Sequence, residues 1–245
     1  MYHFFTTQAN IGAGRVLIEG TDVNHIKNVL RMKTGEEILV SDGEGTDYVC
    51  EIAEMADDEI ICRITGEGAS LSECPVRFYL FQGLPKSDKF EHIIQKSVEL
   101  GVYEIIPVNT ARTVVKYDDK KAKSKTERWQ KIAESAAKQS RRGIIPEVRP
   151  VMTFKEAVKY AGENLSLNII PYENFKDMKT TKEILSQIEP GMSVGIFIGP
   201  EGGLEEKEVL LANEMGIRSI SLGNRILRTE TAPLMLLSVL TFALE

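Results

Sequence analysis

Two glycine-rich segments near the C-terminus constrain this chain most, because each falls between a strand-like and a helix-like run. The first reads Ile198-Gly199-Pro200-Glu201-Gly202-Gly203. The second runs from Leu222-Gly223 through Arg225-Ile226-Leu227-Arg228-Thr229-Glu230-Thr231-Ala232. Between them, residues 204–215 read as a helix and 218–222 as a short strand. Loops at the ends of neighbouring strands form one crevice, where ligands bind in α/β sheets. Glycine there lets a ligand reach bare backbone N–H and C=O groups. The second segment also brings Arg228, Thr229 and Glu230 together, a combination that points to a site.

The alternation extends upstream. Residues 76–81, 105–108, 166–171 and 193–198 read as strands, and residues 90–100, 128–140 and 184–188 as helical. In the first of these helices Phe90, Ile93, Ile94 and Val98 share one face, and Gly101 stops it. Strand–helix alternation argues for an α/β domain with a mostly parallel sheet covered on both faces. Residues 232–244 are apolar nearly all round, so that helix is expected to be buried, in part against a second subunit. Before Pro75 the pattern differs: residues 15–19, 37–41, 48–53 and 59–64 read as short strands with polar turns. A short helix is expected over 23–32, capped by Thr21 or Asp22. Short strands of this kind suggest a small barrel or sandwich. The small, polar stretch 66–73 reads as a linker, giving domains at residues 1–72 and 73–245.

With 245 residues, 42% of them apolar, the chain has material for one large domain or two ordinary ones, with a real core. The apolar C-terminal run is too short to cross a bilayer, and the N-terminus does not read as a signal peptide. Cys50, Cys62 and Cys74 are dispersed, as are His3, His25 and His92, so no metal is expected and a reducing, cytoplasmic setting fits. The net charge of −6 disfavours nucleic acid, but residues 116–142 hold ten basic and four acidic residues. That local +6 on an otherwise acidic chain suggests a polyanion-binding face. A solvated helix with Glu127–Lys131 and Glu134–Lys138 pairs is the plainer alternative.

Known cofactor loops do not fit. Gly199 to Gly203 has no phosphate-loop lysine. Gly12-Ala13-Gly14 lies in the β region without a following helix, and GxSxG is absent. A compact cofactor held by backbone contacts near the C-terminus remains.

The glycine segments together resemble the signature of the SPOUT methyltransferases, most closely the RsmE type, which methylates N3 of a uridine in small-subunit ribosomal RNA. Other pieces fit in order: His25 to Arg31 (HIKNVLR), Gln95 to Gly101 (QKSVELG), Arg128-Trp129 through Gln139, and Ile170-Pro171-Tyr172-Glu173. The resemblance covers nearly the whole chain. It implies a PUA-like β-barrel at the N-terminus and a SPOUT domain whose C-terminal segment forms a deep trefoil knot. It also implies a homodimer, S-adenosyl-L-methionine in the knot, and uridine 1498 of 16S rRNA in the small ribosomal subunit as target. One departure is His3, where relatives often carry arginine; histidine would make an RNA contact weaker or pH-dependent.

For the cofactor, Gly199, Gly202 and Leu222-Gly223 are expected to offer backbone groups, with Ile198 and Ala232 beside them. Ile226 and Leu227 would pack on the adenine, unless they are simply core. Thr229 would bond the loop or the methionine moiety, and Pro171 and Glu173 would line the same crevice. For catalysis, Arg228 is the cation for the developing uracil anion; alternatively it pairs with Glu201 or Glu230 to hold the loops. Glu201 or Glu230 is the candidate base if burial raises its pKa, with a helix-end carboxylate as the other role for Glu201. For RNA, Arg112, Lys116, Lys120, Lys121, Arg141 and Arg142 are phosphate readers, with His3, His25 and Arg31 on the small domain. Lys86 and Lys89, beside the helix start Ser87-Asp88, face RNA or form a solvated cap. Trp129 at its helical spacing reads as core. A knotted methylase acting on a transfer-RNA ribose, or a non-catalytic RNA-binding assembly factor, are the competing readings.

Overall fold

The computed structural model describes residues 1–86, 88–115 and 117–244, leaving aside the side chain of Asp119. The chain forms two compact units, Met1–Glu73 with Ala137–Ile145, and Cys74–Ala136 with Pro146–Glu245. The second segment of the first unit lies far from the 72/73 boundary in sequence.

The first unit contains β1 (Tyr2–Phe5), β2 (Ile11–Gly12), β3 (Arg15–Glu19), α1 (Thr21–Asn24), β4 (Glu37–Ser41), β5 (Thr46–Met55) and β6 (Glu59–Ala69). Its six strands run in the order β1-β4-β5-β6-β3-β2, antiparallel except for the parallel pair β1–β4. Alternation in β3 places Val16 and Ile18 inward, where they meet Ile38, Val40, Cys50, Ile52, Ile60 and Cys62 in one core. Ala13 and Gly14, at φ 50° and 73°, form the tight turn from β2 to β3.

The short helix differs from expectation. Gly20 precedes α1 and no side chain caps it; Asp22 instead pairs with Lys138 at 2.9 Å. The chain then widens into a π-helical turn, His25–Val29, where Leu30 N–H reaches His25 C=O at 2.9 Å. The expected linker is also corrected. β6 continues through Gly66 and Gly68 because they pair with Val49 and Asp47 of β5, and cross-strand pairing outweighs glycine's weak strand preference.

The second unit contains β7 (Arg77–Gly83), α2 (Lys89–Glu99), β8 (Val102–Asn109), α3 (Asp119–Ser140, whose last residues belong to the first unit), β9 (Glu147–Val148), β10 (Met152–Thr153), α4 (Phe154–Asn164), β11 (Leu167–Pro171), α5 (Met178–Leu185), β12 (Ser193–Ile198), α6 (Glu206–Glu214), β13 (Arg218–Ile220) and α7 (Thr231–Leu244). All pairings in its seven-stranded sheet are parallel. The order is β10-β8-β7-β12-β11-β13, with β9 also on β8. Central strands are near-continuous apolar runs, as burial on both faces requires. Trp129 is buried edge-on to Phe90, 4.5 Å between centroids, and so serves as core.

The chain enters β12 between β7 and β11, then returns outward to β13. The C-terminal ends of β7, β12, β11 and β13 therefore lie side by side, a switch in strand order of the kind that opens a crevice.

Candidate ligand cavity at the strand ends

Three strand-end segments line one cavity of about 480 Å³ in the second unit: Pro171 to Lys176 after β11, Ile198 to Leu204 after β12, and Ser221 to Ala232 after β13. Pro171, Glu173, Ile198, Gly199, Glu201, Gly202, Leu222, Gly223, Ile226, Leu227, Arg228, Thr229 and Ala232 all contribute to this one wall. The volume lies in the range of small-molecule sites, about 300–1,000 Å³.

Bare backbone is a requirement here. A Cβ on Gly199 would stand 3.1 Å from Gly203 and Leu204, and one on Gly202 would stand 3.2 Å from Arg112 Cβ. Gly203 and Gly223 hold φ of 69° and 94°, a region closed to most L-residues. At the end of β7, a Cβ on Gly83 would sit 2.7 Å from Pro200, so Gly83 is what lets the first glycine loop lie against that strand.

The two loops are joined underneath by Thr229. Its hydroxyl donates to Gly199 C=O at 2.7 Å and accepts from the buried Gln82 amide at 2.9 Å. Thr229 thus bonds the loop. Gln82, a polar residue inside an apolar strand, was missed by sequence reasoning; its position in the run Leu80-Phe81-Gln82-Gly83 was the available signal.

The charged residues fall out differently from expectation. Among the described residues Arg228 makes no ion pair, and it is exposed at the cavity wall. The cation between the loops is Lys89, 3.5 Å from Glu201 and 3.2 Å from Glu230. Lys89 lines the cavity, so it is neither a solvated cap nor a free surface cation. Glu201 also accepts the Lys86 backbone N–H at 3.1 and 3.2 Å. It does not end a helix, since Glu205 and Glu208 form the capping box of α6. Burial pushes the Glu230 carboxyl up, but its own backbone N–H, Lys89 and Arg228 outweigh this and hold it below the usual range. That is opposite to the shift a base poised near neutrality needs. Ile226 is 81% exposed at the cavity lip, so core packing is not its role. Tyr172, Lys176, Ser221 and Arg225 complete the lining and were not singled out beforehand.

The residues proposed for RNA divide between the units. In the second, Lys86, Arg112, Lys120 and Lys121 are exposed, although Arg112 donates to Gly202 C=O at 2.8 Å. Lys116 and Ser87 lie outside the described residues. In the first, His25, Arg31 and Arg141 are exposed, the two arginines at φ 54° and 58°. His3 is half-buried with its Nε2 2.6 Å from the Ser41 hydroxyl, and burial lowers its pKa. Arg142 is a correction. It is buried and paired with Glu73, so its charge is spent inside the unit rather than offered to phosphate.

The described residues hold no group of histidine, cysteine or acidic side chains placed to bind a metal. No described helix is long and apolar enough to cross a membrane.

Comparison with known proteins adds to this geometry. The profile of the RNA methyltransferase domain family matches residues 72–241, and that of the RNA methyltransferase PUA domain matches residues 18–65. Ribosomal RNA small subunit methyltransferase E of Bacillus subtilis is 41% identical over 93% of this chain and 90% of its own length. A crystal structure described as that of a hypothetical protein is similar with a TM-score of 0.91 and 39% identity, covering 99% and 98% of the two chains. Ribosomal RNA small subunit methyltransferase E from Neisseria gonorrhoeae, solved bound to S-adenosyl methionine, is similar with a TM-score of 0.83 and 32% identity, covering 99% and 98%.

Proposed function

The chain belongs to the ribosomal RNA small subunit methyltransferase E family, and on that premise we propose that it methylates N3 of one uridine in 16S ribosomal RNA, using S-adenosylmethionine held in the strand-end cavity. The observation that carries the reading is the convergence of three strand-end segments on one cavity with glycine backbone exposed in its wall. Gly199, Gly202 and Gly223 suit a ligand that needs backbone groups close by, and Ile226 and Leu227 suit its adenine face. The reading includes the knotted C-terminal segment, supported by the inward passage of the chain through β12 before it leaves to β13.

The cofactor supplies an electrophilic methyl group. The residues must hold N3 in line with it and stabilise charge as the weakly acidic N3–H is lost. Arg228, exposed at the cavity wall and in no ion pair among the described residues, is the cation available to uracil O2 or O4. Of the two candidate bases, Glu230 is the weaker because its carboxyl is held low. Cationic stabilisation of the uridine anion therefore carries the reaction, with Glu201 as the carboxylate left to take the proton.

Lys120, Lys121 and Arg112 on the catalytic unit, and His25, Arg31 and Arg141 on the small unit, are the exposed groups for RNA. They would read phosphates, leaving selection to RNA shape and an extruded base. A homodimer through the catalytic domain completes the reading. Its support is an outward apolar stripe on α7, where Met235, Val239 and Phe242 are 39%, 47% and 89% exposed. The test offers labelled S-adenosylmethionine and the protein to unmodified small ribosomal subunits, naked ribosomal RNA and bulk transfer RNA. Label in ribosomal RNA is expected; label confined to transfer RNA would overturn the substrate.

A further inference from the structure

Lys89 stands where neither glycine loop alone would place a cation. It is the first residue of α2, and its ammonium reaches Glu201 of the first loop at 3.5 Å and Glu230 of the second at 3.2 Å. Glu201 is anchored separately, since both its oxygens accept the Lys86 backbone N–H. Glu230 has no second side-chain hydrogen bond among the described residues, although Arg228 lies close enough to act on it electrostatically. One ammonium therefore closes a bridge from α2 across both loops at the cavity mouth. Thr229 closes the corresponding bridge beneath.

We infer that Lys89 is a positioning residue, whose charge sets the spacing of the two glycine loops and hence the width of the cofactor cleft. The inference rests on the cofactor reading above. Without Lys89, two carboxylates that both lie within 3.5 Å of one nitrogen would face each other with no shared cation. Two carboxylates held to one nitrogen at 3.5 and 3.2 Å are close enough to repel once that cation is gone. The second loop, which brings Ile226, Leu227 and Arg228 to the cavity, is the one held at Glu230 by Lys89 alone among side-chain hydrogen bonds of the described residues. The groups facing Glu230 are Lys89 from α2, Glu201 from the first loop and Arg228 from its own loop. With Lys89 removed, the backbone N–H groups of Lys86 and Glu230 and the Arg228 charge are left to offset the repulsion.

The test measures binding of S-adenosylhomocysteine by calorimetry. That ligand lacks the sulfonium charge, so attraction between the loop carboxylates and a sulfonium drops out of the comparison, while its ammonium is the same in every variant tested. The Lys89 side chain is 35% exposed, so its two pairs are individually weak. K89Q is expected to bind about fivefold more weakly than wild type at pH 7.5. K89R is expected to stay close to wild type. The double variant K89Q/E230Q is expected to recover most of the loss, because it removes the repulsion along with the cation. Binding to K89Q should also improve as pH falls through the carboxylate range, while wild type changes little. A merely structural lysine would give a loss that is independent of pH and that E230Q does not repair; that result overturns the inference, as does a K89Q that binds as tightly as wild type. A wild type that does not bind S-adenosylhomocysteine overturns the cofactor reading itself, and the inference with it.

Discussion

At the scale of single residues, the site depends on a few groups whose loss has separable consequences. Thr229 serves two partners at once, Gly199 C=O and the buried Gln82 amide. Thr229→Val keeps the shape but removes the hydroxyl donor from Gly199 C=O and leaves the Gln82 amide only its 3.1 Å bond to Gly83 C=O. It is expected to cost about 1–3 kcal/mol in denaturant unfolding and to weaken cofactor binding, and Thr229→Ser should retain most of both. Gly202→Val should act on binding more than on stability. Its new side chain would meet Arg112 Cβ at 3.2 Å, a contact that a shift of a few tenths of an ångström in this exposed segment relieves, while it projects at the cavity wall. Calorimetry that found normal S-adenosylmethionine binding in Gly202→Val would misplace the site. Glu230 offers a pH signature. Its carboxyl is held below the ordinary value of 4.5, so it adds stability above that value and loses it as pH falls through the lower folded value. Melting measured in acid should therefore fall further for wild type than for Glu230→Gln, and equal acid sensitivity would contradict the charge arrangement drawn at the cavity mouth.

At the scale of elements, α7 is the sharpest case. Leu236, Leu237 and Leu240 face inward, and each buried leucine contributes about 1.5–3 kcal/mol. Met235, Val239 and Phe242 face out at helical spacing, so Phe242→Glu is expected to convert a dimer into a monomer in light scattering without unfolding the helix. A wild type that is monomeric at micromolar concentration would contradict the interface. The same helix marks how far element reading reached. An all-apolar run showed burial but could not show which face stays open. The elements that escaped had physical reasons. Helix α4 carried a signal that went unread, the capping box Thr153–Glu156 followed by Phe154, Ala157, Val158 and Ala161 on one face. The start of α3 at Asp119 had little apolar periodicity to show it, because its lysine-rich first turns are largely exposed. The continuation of β6 through two glycines is set by pairing with β5, a long-range effect that local preference opposes. The glycine loops were legible because backbone conformation and ligand approach both demand glycine there. Lys89 and Gln82 were not, because their partners lie more than 100 residues away in sequence.

At the scale of the whole molecule, an acidic chain that acts on RNA must confine its positive charge to chosen surfaces. Lys120, Lys121 and Arg112 on one unit and Arg31 and Arg141 on the other are exposed and would supply it under the proposed function, while Arg142 and Lys138 are spent on Glu73 and Asp22. Under the proposed function the cavity at the strand ends delivers a methyl group to the Watson–Crick face of a uridine. The most direct measurement is reverse transcription of 16S ribosomal RNA recovered from small subunits treated with the protein and S-adenosylmethionine, with mass analysis of the modified nucleotide. One new stop is expected, at a single uridine carrying the methyl group on N3. Methyl transfer without a stop, with the label on a ribose hydroxyl, would contradict it.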